Sequence, residues 1–204
     1  MKIIFFDFDG VIVDSFDFCY VIRNSISHVS KEEYKKMFEG NINDVASISP
    51  VKKTDSFADF FAEYTPELMK CQPYPGIAEA IEKLSKDNML FIVSSTTTGP
   101  IISFLKQYGL EHFFKEVLGN DVEKSKVKKI SMVLDRYKTN PAQAIFITDT
   151  LGDIKEASEC LVKSIAVTWG YHDKATLEKG NPHKIVDLIG ELVPAAREYF
   201  QATK

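Results

Sequence analysis

The chain has 204 residues, enough for one hydrophobic core or for one core with a small appended domain. Its 25 Lys and Arg against 29 Asp and Glu leave a formal net charge of −4, so it lacks the basic excess typical of proteins that bind nucleic acid or anionic membranes. This balance does not exclude a phosphorylated substrate, because a metal ion and a few local cations can set the field of one pocket.

The hydropathy pattern and the cysteines indicate a compartment. No apolar run approaches the roughly 20 residues of a membrane span, and the apolar stretch from Met1 is interrupted at Asp7, too early for a signal-peptide core. Cys19, Cys71 and Cys160 are odd in number and widely spaced, which is typical of small buried residues in a reducing environment. We therefore expect a cytoplasmic protein without a membrane partner.

Short apolar runs alternate with amphipathic helical patterns along the chain. The predicted strands are 2–6, 89–93, 116–118, 144–148 and 164–168. The helices between them are predicted from apolar stripes at Ile77, Ala80, Ile81 and Leu84, at Ile101, Leu105 and Tyr108, at Val127, Ile130, Leu134 and Tyr137, and at Ile154, Ala157 and Leu161. This alternation predicts an α/β fold with a doubly wound, Rossmann-like parallel sheet and right-handed crossovers.

One segment, 16–74, breaks the alternation. It contains no strand-like run and instead has helical patches at 18–29, 31–39 and 57–69. We therefore predict a helical cap domain, 16–74, inserted into a core domain made of 1–15 and 75–204. The natural hinges are the two connections, near Ser15 and at 73–76.

Two acidic residues follow the first predicted strand at once. In an extended segment, side chains two apart leave on the same side, so Asp7 and Asp9 can address one point while Phe8 packs away. Carboxylates this close repel each other unless a cation or a shared proton lies between them. The pair therefore suggests a Mg²⁺ site in which one acid is the nucleophile and the other the proton donor.

The other strand ends also deliver polar groups. Ser94 and Ser95 follow the second strand, Lys124 follows the third, and Asp149 and Asp153 follow the fourth. Because ligands of open parallel sheets bind in the crevice beyond the carboxyl ends of the strands, we expect these groups to converge. Each acid has a plainer interpretation as well, since Asp149 could cap a helix and Asp153 could favour its first turn.

These four motifs resemble, in order and spacing, those of the haloacid dehalogenase superfamily. The resemblance covers roughly residues 1–192, is weakest in the cap, and extends to a tail, Trp169-Gly170-Tyr171, similar to that of phosphoglycolate phosphatase-like members. Two departures are that Thr148 stands where the fourth motif usually has Gly, and that Ser125 follows Lys124 where Pro is common.

The resemblance implies a mechanism. Asp7 would attack phosphorus to form an aspartyl-phosphate, and Asp9 would protonate the leaving group and then activate water. A Mg²⁺ ion would be held by Asp7, Asp149 and the Asp9 carbonyl oxygen, with Asp153 binding it directly or through water. The phosphoryl oxygens would be held by Ser94, the Ser95 amide and Lys124, which we favour over its neighbours Lys126 and Lys128 because of its distance from the 119–121 loop.

The resemblance also implies a division of labour. A small phosphomonoester would be the substrate, with the cap selecting it and the core supplying the phosphoryl chemistry. Arg23 and His28 of the cap could meet an acidic substrate or could lie on a solvated face. The cap aromatic residues more often form a small core; they are Phe16, Phe18, Tyr20, Phe57, Phe60, Phe61 and Tyr64.

Two other functions stay open from the sequence. A sugar phosphomutase shares the motifs and the cap type, although such members often have His four residues after the position of Ser15, where this chain has Cys19. A catalytically silent binding protein would be expected to lack Asp7, Asp9 or Asp149, and all three are present. The sequence does not distinguish a monomer from a homodimer.

Overall fold

The computed structural model describes residues 2–41 and 57–202. The rest of the predicted cap, 42–56, lies outside the described residues, as do the two ends of the predicted core, Met1 and 203–204. The side chain of Phe57, one of the predicted cap aromatics, is also outside them.

A six-stranded, all-parallel sheet forms the centre of the molecule, in the order β3-β2-β1-β4-β5-β6. The strands are β1 Ile3–Phe6, β2 Met89–Val93, β3 Phe114–Leu118, β4 Ala144–Thr148, β5 Lys163–Val167 and β6 Lys184–Val186. This is the strand order of a doubly wound, Rossmann-like fold, so the predicted fold class is confirmed.

The described residues form nine α-helices. They are α1 Phe16–Ser27, α2 Lys31–Lys36, α3 Phe57–Leu68, α4 Ile77–Ser85, α5 Thr98–Gln107, α6 Lys126–Tyr137, α7 Leu151–Glu159, α8 Lys174–Glu178 and α9 Leu192–Ala202. Short 3-10 helices lie at Met37–Glu39, Glu111–Phe113, Pro141–Gln143 and Ile189–Glu191.

The two faces of the sheet are covered by different helices. Side chains alternate across a strand, so Ile4 and Phe6 of β1 join a core cluster with α4, α5 and α9, whereas Ile3 and Phe5 join one with α6 and α7. All four residues of β1 are fully buried. A central strand buried on both faces explains the unbroken apolar run at the start of the sequence.

The inserted segment leaves and re-enters the core side by side. Val13 and Pro73 form an antiparallel bridge, and the Tyr74 N–H donates to the Ile12 carbonyl oxygen at 2.9 Å. Beyond this neck, α1 packs on α3, with the Phe18 and Tyr64 ring centroids 5.4 Å apart. The described parts of the segment, 16–41 and 57–72, contain helices and turns and no strand.

Two details of the sheet differ from the sequence-based prediction. The edge strand β6 was missed, because three residues are too few to show a pattern. The other edge strand, β3, begins two residues earlier than predicted, because its exposed Lys115 interrupts the apolar run. Within the described residues, no helix combines the length and apolarity needed to cross a membrane.

Candidate active site

The predicted motifs lie at neighbouring strand ends. The central strand β1 lies between β2 and β4, with Phe6 opposite Ile92 on one side and Ile147 on the other. The Asp7 N–H continues the pairing by donating to the Ile147 carbonyl oxygen at 2.9 Å. The strand order reverses between β1 and β4, and this reversal opens a crevice at the carboxyl ends of the strands.

Asp7 is buried against a lysine from α6. Its Oδ1 accepts from the Phe8 N–H at 2.7 Å, and its Oδ2 accepts from Lys126 Nζ at 2.7 Å. The same Nζ lies 2.7 Å from Asp153 Oδ2, and the Lys126 side chain is only 4% exposed. One ammonium group therefore joins the carboxylates that follow β1 and β4.

The lysine in this position is not the one that the sequence analysis selected. Lys124 is exposed in the loop before α6, whereas Lys126 is the first residue of that helix. The Ser125 hydroxyl accepts from the Lys128 N–H at 3.3 Å and thereby caps the helix. The buried face of α6 then runs through Lys126, Ile130 and Val133, a helical period from which Lys126 could have been predicted.

Asp149, the first residue after β4, is fully buried. Its Oδ2 accepts from the Tyr171 N–H at 2.7 Å, whereas its Oδ1 is buried with no hydrogen-bond partner among the described residues. A Cβ atom on Gly10 or on Gly170 would overlap Oδ2, so glycine at both positions is required for this close approach. Gly10 also has a φ of 73°, which other residues rarely adopt.

Asp153 lies on the first turn of α7 and faces the same crevice. Its Oδ2 accepts from Thr148 Oγ1 at 2.7 Å as well as from Lys126. Thr148, the residue that stands where the family usually has Gly, therefore orients this carboxylate. Thr150 caps α7 by accepting from the Asp153 N–H at 3.4 Å.

Burial and the shared Lys126 ammonium group shift the pKa values of the three carboxylates in different directions. Burial raises the pKa of Asp7 well above its usual range despite Lys126, and burial raises the pKa of Asp149 to about 7. Burial would also raise the pKa of Asp153, but Lys126 and the hydrogen bonds outweigh it and leave that pKa lowered. Burial acts to lower the pKa of Lys126, but Asp153 and Asp7 outweigh it and hold that pKa above its usual value.

Asp9, the second acid of the pair, is held by two hydroxyl groups. Tyr64 donates from cap helix α3 to Asp9 Oδ1 at 2.7 Å, and Thr96 donates from the loop after β2 to Asp9 Oδ2 at 2.7 Å. Burial and the Asp9 charge raise the pKa of Tyr64 well above its usual value, so its hydroxyl keeps the proton. From the sequence, Thr96 was one of the polar residues after the second strand without a role of its own, and Tyr64 was interpreted as part of a small cap core.

The loop after β2 contains the predicted phosphate ligands. Ser94 is 1% exposed, and its Oγ accepts from the Thr96 N–H at 3.0 Å; Ser95 beside it is half-buried. Lys129, one turn along α6 from Lys126, is fully buried and donates to the Ser94 carbonyl oxygen at 2.5 Å. Burial lowers the pKa of Lys129 to about 8. The loop is therefore held by α6 next to Asp7.

The donor set fits a divalent cation that keeps most of its water. No group of three or more His, Cys, Asp or Glu side chains suited to a metal ion occurs within 2–41 and 57–202. Mg²⁺, however, commonly binds through one or two carboxylates and retains several waters. The unpaired, buried Oδ1 of Asp149 and the excess of negative charge are the features such an ion would satisfy.

The first part of the inserted segment, 16–41, contacts the core beside this crevice. The Phe16 ring packs edge-on against Tyr171 with centroids 5.0 Å apart, and His172 Nε2 lies 2.9 Å from the Lys35 carbonyl oxygen. Lys155 of α7 donates to the Glu39 carbonyl oxygen at 2.9 Å. A Cβ atom on Gly152 would overlap the carbonyl oxygen of Gly40, so α7 and the cap backbone are in direct contact.

Comparison with known proteins identifies the family of the chain. The family described as haloacid dehalogenase-like hydrolase matches residues 4–167. The chain belongs to this family. Phosphoglycolate phosphatase from Synechococcus elongatus is 26% identical over 211 residues, covering 98% of this chain and all of that protein. Phosphoglycolate phosphatase from Vibrio cholerae is 23% identical over 220 residues, covering 95% and 96% of the two chains.

Solved structures show the same fold. A haloacid dehalogenase-like hydrolase from Streptococcus pneumoniae superposes with a TM-score of 0.79 at 25% identity, covering 95% of this chain and 97% of that one. The resemblance predicted from the motifs is thus confirmed, and the enzyme class predicted with it, a phosphatase of this family, agrees with the named activity of the relatives. Haloacid dehalogenase-type phosphatases generally use a divalent metal ion.

Proposed function

We propose that this protein is a Mg²⁺-dependent phosphatase that hydrolyses a small phosphomonoester through an aspartyl-phosphate on Asp7. The observation that carries the proposal is the position of Asp7, at the carboxyl end of the central strand and hydrogen-bonded to Lys126. Asp9 is held two residues away by Tyr64 and Thr96. The site thus combines a fixed nucleophile, a fixed ammonium group and a second acid.

The residues divide the reaction between them. Asp7 Oδ1 or Oδ2 attacks phosphorus, while Lys126 neutralises charge on the phosphoryl oxygens. Ser94 and the backbone amide of Ser95 supply further donors to those oxygens. Asp9 gives a proton to the departing oxygen and afterwards takes one from the water that hydrolyses the aspartyl-phosphate.

A Mg²⁺ ion would be held by Asp7, Asp149 and the Asp9 carbonyl oxygen, with Asp153 beside it. Bound there, it would supply positive charge for the substrate phosphate and screen Asp7 from the dianion it must approach. Support comes from the unpaired Asp149 Oδ1 and from the single ammonium group shared by Asp7 and Asp153.

The names of the relatives support a substrate class. We propose a small phosphorylated metabolite, with 2-phosphoglycolate, the substrate named for the relatives, as the first compound to test. The mutase alternative is less favoured, since Cys19 is 3% exposed at the position where a histidine would be expected. The unpaired Cys19, Cys71 and Cys160 support a cytoplasmic location.

The test uses purified protein with 2-phosphoglycolate and with p-nitrophenyl phosphate. Phosphate release should require Mg²⁺, stop with a chelator and return when Mg²⁺ is restored. Acid quenching during turnover followed by borohydride reduction should convert residue 7 to homoserine, which mass spectrometry detects, and Asp7→Asn should give none. Equal activity with and without chelator, or no hydrolysis of any phosphomonoester, would overturn the proposal.

A further inference from the structure

The hydroxyl of Tyr64 connects the cap to the proposed acid–base residue. Tyr64 lies on cap helix α3, is 1% exposed, and donates to Asp9 Oδ1 at 2.7 Å. We propose that Tyr64 is a positioning residue that sets the Asp9 carboxylate for proton transfer to the leaving group. This inference rests on the role proposed for Asp9.

The two hydroxyl groups hold Asp9 from opposite domains. Thr96 Oγ1 reaches Oδ2 from the core, and Tyr64 reaches Oδ1 from the cap, both at 2.7 Å. A carboxylate oxygen accepts about two hydrogen bonds, so each oxygen keeps a lone pair for the transferred proton. A hydroxyl can also accept from a carboxylic acid, so the contact suits Asp9 before and after it gives up the proton.

The ring of Tyr64 is fixed by its neighbours rather than by its hydroxyl. It packs against Phe18 of α1 at 5.4 Å between centroids, and against Phe60 and Phe61 of its own helix at 5.9 and 5.7 Å. Replacement by phenylalanine should therefore keep the packing and remove only the hydrogen bond to Asp9. The remaining bond, from Thr96, then holds the carboxylate at one oxygen only.

Misplacement of a proton donor has a selective cost. A donor must lie within hydrogen-bond reach of the leaving oxygen, and a displacement of about 1 Å can cost about 100-fold in rate. An alkoxide leaving group needs that proton, whereas p-nitrophenolate is a stable anion and departs with little help. The rate lost when Asp9 is misplaced should thus depend on the leaving group. A general loss of structure would lower the rate for both substrates alike.

The experiment compares kcat/KM for an alkyl ester and for p-nitrophenyl phosphate in wild type and in Tyr64→Phe. The alkyl ester is 2-phosphoglycolate or β-glycerophosphate, whichever the wild-type enzyme hydrolyses faster. The ratio kcat/KM reports steps up to departure of the leaving group, so the later role of Asp9 in hydrolysing the aspartyl-phosphate does not enter. Tyr108→Phe is the matched control, because Tyr108 donates to the Cys71 carbonyl oxygen at 2.6 Å, near the neck of the cap.

We expect Tyr64→Phe to lower kcat/KM for the alkyl ester by about tenfold or more, because the proton donor is misplaced. The value for p-nitrophenyl phosphate should change by less than about threefold. Tyr108→Phe should leave the ratio between the two substrates unchanged. An equal fall for both substrates in Tyr64→Phe, or no fall for either, would overturn the positioning role. Failure of the wild-type enzyme on both substrates with Mg²⁺ would instead overturn the proposed phosphatase, and the positioning role with it.

Discussion

Replacing Lys126 by methionine tests the charge arrangement of the site. Methionine has a similar length and no charge, so the change removes two buried ion pairs of 2.7 Å each and leaves the volume almost filled. Asp7 and Asp153 would then be buried without their cation. Breaking a buried pair in this way typically costs about 3–5 kcal/mol, a large part of the stability of a domain.

The catalytic cost should be separate and also large. Removing one donor that stabilises transition-state charge typically lowers kcat by about 10²–10³. Urea unfolding followed by circular dichroism would give the stability change, and phosphate release at saturating substrate would give the loss in kcat. Both measurements should be made with Mg²⁺ and with chelator, because a bound cation would offset part of the lost positive charge.

Lys124→Met is the matched control. Lys124 is exposed and lies two residues before Lys126. Substitutions at exposed positions usually change the free energy of unfolding by less than about 0.5 kcal/mol. The activity of the Lys124→Met enzyme should therefore stay near that of wild type. The reasoning would be refuted by a Lys126→Met enzyme with normal stability and kcat. It would equally be refuted if Lys124→Met were the variant that lost activity.

Three further predictions concern the acids and the cap. Asp7→Asn should abolish turnover in a folded protein, and Asp9→Asn should lower kcat by about 10²–10⁴, measured as phosphate release; near-normal activity in Asp7→Asn would eliminate it as nucleophile. Gly152→Ala should keep α7 folded but displace the Gly40 backbone that it contacts. Limited proteolysis should then cut the cap faster than in wild type, while the melting temperature stays within a few degrees. An unchanged rate of cutting would argue against this contact. Arg23→Gln removes a buried Nε that has no partner among the described residues. This change should alter the ratio of kcat/KM between 2-phosphoglycolate and p-nitrophenyl phosphate. A fall in kcat/KM by the same factor for both substrates would contradict a role of Arg23 in substrate selection.

The parts of the fold that were predictable are those in which one physical signal dominates. The strands β1, β2 and β4 are buried on both faces, so their sequences are continuous apolar runs ending at a polar residue, and the structure places those ends together. β6 has three residues and one buried side chain, so pairing with β5 rather than its own pattern defines it.

The lysine that pairs with Asp7 illustrates a different limit. Lys124, Lys126 and Lys128 are chemically identical candidates at alternate positions, and counting residues from the preceding loop cannot separate them. Their difference arises from the point at which α6 begins, because a shift of two residues turns a helical side chain by about 200°. The Ser125 cap determines that point, and weighing it together with the buried face of α6 would have selected Lys126.

The contact of Tyr64 could not have been predicted, because its partner is 55 residues away and no local pattern connects the two. Its contact with Asp9 also qualifies the expectation that the cap selects the substrate while the core alone performs the chemistry. If cap opening removes the Tyr64 hydroxyl, Asp9 keeps only its bond to Thr96 and is no longer held from both sides. Proton transfer to the leaving group would then be efficient only after the substrate is enclosed, and activation of water only after the cap has closed again over the aspartyl-phosphate. The cap would thereby control both proton transfers through one hydroxyl group, while the groups that contact phosphorus and its oxygens all remain on the core.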